Sequence, residues 1–102
     1  MNNELAATVQ ALKKTMVHHN PEHLSSVSSL TELKKALADR IRFLIDTDLH
    51  YLLALAYRMD IGEKPFTEAL YSSNAAENIA ELVLKREQEK IRTRTLYKQG
   101  KL

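Results

Sequence analysis

The chain has 102 residues, of which 44% are hydrophobic and 27% charged, and a formal net charge of only +2. That is the size of one domain with one modest core. It has no cysteine, which excludes disulfides, thiolate zinc sites and thiol catalysis. Only two glycines and two prolines occur, so long irregular loops and many-stranded sheets are not expected.

The first predicted helix runs from about Asn3 to His18. Leu5, Val9, Leu12 and Met16 recur at intervals of four, three and four and so share one stripe. Asn20-Pro21 stops it, because proline removes a donor and disfavours the helical conformation of the residue before it. Residues 21–28 (PEHLSSVS) then read as a connector. Ser29 opens the second helix. With Glu32 it forms an S-x-x-E capping box, followed by Leu30, Leu33, Leu37, Ile41 and Leu44 at helical spacing. Asp46-Thr47-Asp48 is expected to break the chain, since three short polar residues compete with helix hydrogen bonds and make good N-caps.

The third helix, about Asp48 to Met59, is the most hydrophobic stretch: Leu49, Leu52, Leu53, Ala54, Leu55, Ala56 and Tyr57 leave almost no polar face. A short helix apolar nearly all round belongs at the centre of a bundle, and Leu53 is expected in the core. Asp60-Ile61-Gly62 ends it, with Gly62 expected in the left-handed conformation. Pro65 suits the first turn of a fourth, short helix running to Tyr71. Asn74 and Glu77 repeat the capping-box spacing, and the last helix runs from Ala75 to at least Ile91, with Ala76, Ile79, Ala80, Leu82, Val83 and Leu84 buried. These elements predict an all-α, single-domain bundle of four to five helices. Its parts are an N-terminal helix (1–20), a connector (21–28), a helical core (29–94) and a basic tail (95–102).

The stretch LLALAYRMDIGEKPFTEAL followed by NIAELVLKREQEKIRTR resembles a family of small, uncharacterised all-helical proteins found mainly in Bacteroidetes bacteria. Tyr57-Arg58 ahead of Asp60, the loop to Pro65 and Lys90-Ile91-Arg92-Thr93-Arg94 carry the resemblance, which covers about residues 41–94. It implies a helical fold and brings no activity with it.

Candidate chemistry is sparse. His19 and His23 have an i,i+4 metal-ligand spacing, but Asn20-Pro21 between them prevents a regular turn, so no metal is expected. Asp46 and His50 could pair at i,i+4, with Asp48 nearby; against this, both acids suit the positive end of the third helix. No serine, threonine or tyrosine is placed to complete a triad. Arg58 could tether to Asp60 or Glu63 and fix the turn, or join the fourth helix's N-terminus in an anion pocket. The tethering role is the expected one.

The strongest signal outside the core is the basic end. From Lys85 to Leu102 seven basic residues face two acids, a balance of +5 that leaves residues 1–84 at −3. Lys85, Arg86, Lys90, Arg92, Arg94 and Lys98, with Tyr97 among them, are candidate nucleic-acid contacts. Cations at a helix C-terminus also have a purely structural use. The 48–71 segment lacks the basic recognition helix a helix-turn-helix needs.

The sequence is therefore expected to encode a cytoplasmic, non-enzymatic interaction or regulatory protein without cofactor, acting through helix surfaces on a protein partner or a second copy. Nucleic-acid binding through residues 85–101 is the alternative. The longest apolar run, Tyr51 to Tyr57, is far short of the about 20 residues that span a bilayer, so no membrane role is expected. The first helix, with a four-residue stripe, is marginal alone and must dock on its own bundle or on another chain. A homodimer built on the first or the last helix is one expectation.

Overall fold

The computed structural model describes residues 3–15 and 29–100. Five helices follow one another: α1 (Asn3–Thr15), α2 (Leu30–Thr47), α3 (Leu49–Arg58), α4 (Glu63–Leu70) and α5 (Ala75–Lys98). The described residues contain no strand. The all-α bundle is as expected. The end of the first helix at His18, the connector 21–28 and the histidines His18, His19 and His23 lie outside the described residues.

The hub is α5, which packs against α1, α2 and α4, whereas α3 lies chiefly against α2. The reason is in the spacing. Ala76, Ile79, Ala80, Val83, Leu84 and Glu87 bury one side of α5 at steps of three and four, and the alanines let neighbouring helices come close. Leu33, Leu37, Ile41 and Leu44 of α2 are fully buried. Arg42 pairs with Glu77, and Lys34 with Glu81 at 3.7 Å, which links α2 to α5 at the surface. From α1, Val9 and Leu12 enter the same core, so part of its apolar stripe is spent within its own chain.

Third-helix centrality is corrected. Leu52, Leu55, Ala56 and Met59 are buried, but Leu53 is 44% exposed and Ala54 and Tyr57 face outward. An all-apolar helix has no polar face to mark its outside, and here its second side covers nothing.

The caps divide. Ser29 Oγ accepts the Glu32 amide at 3.1 Å, as its capping-box position requires. Ser29→Ala should therefore lower stability by about 1 kcal/mol, read as a shift in the urea midpoint without a change of slope. Asp48 serves two helices at once: its amide donates to the Leu44 carbonyl at 2.8 Å, closing α2, and its carboxylate accepts the Tyr51 amide at 3.1 Å, opening α3. Asn74, by contrast, makes no side-chain cap. Glu77, which the reciprocal bond would need, is drawn to Arg42 instead.

Two further expectations change at the turns. Asp60, not Gly62, takes the left-handed conformation after α3, at φ 60°. Aspartate is one of the few side chains that tolerates this region. Gly62 has φ −56° and caps α4, where a Cβ would meet the Pro65 ring at 3.1 Å. The fourth helix accordingly begins at Glu63, with Pro65 still inside the first turn, where a missing N–H costs nothing. The last helix runs on to Lys98, through part of the expected tail, and Gly100 at φ 70° supplies the left-handed stop.

Candidate functional site

Two surfaces stand out. The first is the outward side of α3. At 100° per residue, Leu49, Leu53 and Tyr57 (i, i+4, i+8) form one stripe, with His50 and Ala54 beside it on the side away from buried Leu52 and Ala56, and all five are exposed. Tyr57 is 87% exposed. Across its ten residues α3 has no carboxylate or lysine, and Arg58 is its one formal charge. Exposed aliphatic residues scattered singly are ordinary, but an uncharged contiguous face on a surface helix is not.

The second is the groove between α1 and the C-terminal half of α5. Ala7, Gln10 and Ala11 form one wall; Arg86, Lys90, Arg94 and Lys98, each four residues after the last, form the other. These four basic side chains lie on a single stripe of α5, a pattern the clustered sequence does not display until it is wound on a helix. The structure already engages the first two. Arg86 donates from Nε to the Met59 carbonyl at 3.1 Å and reaches Asp60 at 3.3 Å and Glu89 at 3.5 Å. Lys90 lies 3.9 Å from Glu87, a carboxylate buried in the floor of the groove. Arg94 and Lys98 are exposed, and among the described residues no carboxylate lies within 4 Å of either. Lys85 and Arg92 are exposed as well but are not among the residues lining this groove.

The tether expected of Arg58 is made by Arg86. Arg58 points outward, its guanidinium 5.9 Å from the Tyr51 ring, while Arg86 reaches from α5 to hold the left-handed turn. Nothing near position 86 in the sequence marks it as the partner of a turn 26 residues earlier. The anion pocket fares no better: Glu63 and Glu68 stand beside Lys64 and Thr67 on the first turns of α4.

The Asp46–His50 pair is not made. The break at Asp48 places Asp46 on α2 and His50 on α3, both exposed, and Asp48 is engaged as a cap. Among the described residues there is no group of three or more metal-ligating side chains, and no helix long and apolar enough to cross a membrane.

No family model matches the chain, and neither the curated proteins nor the solved structures provide a match.

Proposed function

We propose that this chain is a small, non-enzymatic interaction protein of the bacterial cytoplasm, and that its docking face is the outward side of α3. One observation carries the proposal: Leu49, Leu53, Ala54 and Tyr57 are exposed together on a helix that its own bundle covers on one side only. Leaving such a face in water forgoes the stabilisation that burial would give, roughly 25 cal/mol for each Å². A docking partner recovers it.

An environment-sensitive apolar dye tests the face. Native protein should bind it saturably, and Leu53→Lys or Tyr57→Glu should abolish the signal while changing unfolding free energy by less than about 1 kcal/mol, as for other exposed positions. Failure of the native protein to bind, or undiminished binding by both variants, would remove α3 as the docking face.

A second reading, nucleic-acid binding through the basic segment, is favoured by Arg94 and Lys98, the exposed half of the α5 stripe, with Tyr97 beside them at 75% exposure. Two to four such cations would release counterions from a polyanion, so affinity for a fluorescent duplex oligonucleotide should fall with salt at a log–log slope of about −2 to −4. Retention of that slope in an Arg94→Gln/Lys98→Gln variant would rule the stripe out.

A further inference from the structure

We propose that the groove between α1 and the C-terminal half of α5 is a binding site for an extended acidic segment of a partner polypeptide. In it Glu87 accepts a backbone N–H of the segment, and Arg94 and Lys98 meet its carboxylates. The site is independent of the α3 face and competes with the nucleic-acid reading of the same basic stripe.

Glu87 is out of place in its stripe. The buried side of α5 runs Ala76, Ile79, Ala80, Val83, Leu84 and then Glu87, a carboxylate only 4% exposed where the pattern calls for an aliphatic residue. An ionised carboxylate accepts and never donates, with room for about four hydrogen bonds. Among the described residues its one ion-pair partner is Lys90, whose ammonium stands at 3.9 Å, too far for a hydrogen bond. Such a buried pair is costly to keep, and apolar replacement is commonly neutral or stabilising. Glu87 lines the groove, so a donor arriving there meets it.

The cations lie in line with it. Past Glu87 the core side of α5 loses its cover. At 100° per residue Lys90, Arg94 and Lys98 all fall within about 60° of Glu87, and from position 92 onward the helix is exposed. Lys90 is committed to Glu87, and Arg86 to the turn after α3. The groove thus presents a buried acceptor at one end and, at Arg94 and Lys98, a surplus of positive charge toward the other.

An extended peptide has that chemistry at that spacing. From Glu87 the helix rises about 10 Å to Arg94 and about 6 Å more to Lys98. A chain at about 3.4 Å per residue covers these steps in roughly three residues and two. An N–H at Glu87, an acid about three residues along and a second acid two residues beyond would therefore meet all three side chains. Acids two residues apart also point to the same side of an extended chain. Ala7 and Ala11 on the opposite wall end at Cβ and let its backbone come close, and half-buried Ile91 between the charged positions receives an apolar side chain. A compact small molecule would leave one end of this span unmet. A phosphate backbone suits the cations, but its oxygens only accept, and its charge would come to rest over a buried carboxylate.

The test follows the anisotropy of a fluorescein-labelled peptide of alternating alanine and glutamate, capped at both ends, as the full chain is added. The native chain should bind it saturably and should not bind the alanine–lysine counterpart. Arg94→Gln/Lys98→Gln should weaken binding about tenfold or more with the urea midpoint unchanged. Glu87→Leu should weaken it about fivefold or more while leaving the midpoint unchanged or higher, and Glu87→Gln, which keeps an acceptor oxygen, should lose less. Methylating the peptide's backbone nitrogens removes its donors, which should lower affinity for the native chain and have little effect with Glu87→Leu. Should Glu87→Leu not fold, the methylated peptide makes the same comparison between the native chain and Glu87→Gln. Binding of a duplex oligonucleotide should move the other way, since Glu87→Leu takes a negative charge from beneath the phosphates.

A peptide that does not bind the native chain overturns the proposal. So does equal affinity for the native chain and Glu87→Leu, or an equal loss on methylation in both. If the duplex binds and loses affinity in Arg94→Gln/Lys98→Gln while the peptide never binds, the nucleic-acid reading stands and this one falls.

Discussion

Leu37→Ala should lower the unfolding free energy by about 2–5 kcal/mol and the melting midpoint by roughly 10 °C or more. Leu37 sits midway along α2, fully buried among the residues that face α5, and the substitution removes three carbons from the tightest part of the bundle. The cost has two parts, the lost transfer of the side chain and the cavity left behind, and fully buried Leu33, Ile41 and Leu44 on either side of it leave α2 little freedom to collapse into it. Leu53→Ala, in the same residue type one helix away, should cost less than about 1 kcal/mol because the side chain is almost half in water already. Urea titration of the two variants together checks the arrangement. Equal losses would mean that α3 is as deeply packed as α2.

Arg86→Ala should cost about 1.5–3 kcal/mol, a large effect for a residue that looks in sequence like one cation in a basic run. The dominant loss is the charged donor to the Met59 carbonyl, which sits at the end of α3 where helix carbonyls lack partners. The contact with Asp60 adds little, since that carboxylate is largely exposed and screened. Arg86→Lys should recover only part of the loss, because a single ammonium cannot reproduce the guanidinium fork. If Arg86 instead served a polyanion, the substitution would leave the urea midpoint unchanged and weaken oligonucleotide binding.

These two sites show where the sequence is readable. α2 was legible because its apolar series has one period and polar residues on the far side, and Ser29 and Asp48 were legible because a cap is a local bond between neighbours. What failed was whatever depended on distant partners. Leu53 looked like core because hydrophobicity reports that a residue avoids water, not whether its own chain provides the cover. Gly62 looked like a left-handed terminator, but the ring of Pro65 explains it, and the left-handed position falls to Asp60, beside the Met59 carbonyl that Arg86 holds. Asn74 has the right neighbour at Glu77, yet Arg42 on another helix competes for that carboxylate. Of the two candidate surfaces, the basic run was visible in sequence, though not which of its members were already engaged. The α3 face was visible as apolar and assigned to the wrong side of the molecule.

The single residue between α2 and α3 has a consequence for recognition. Because Asp48 ends one helix and begins the next, a single residue's backbone torsions lie outside a helix at that joint, and its amide and carboxylate are both bonded, so a partner finds little there to freeze on arrival. Binding to a segment on a slack linker gives up affinity to conformational entropy, about 1–2 kcal/mol for each residue whose backbone must be fixed. Here that entropy is surrendered when the chain folds, so even a small contact can be specific in orientation, with its strength set by the match of side chains rather than by the cost of holding them still.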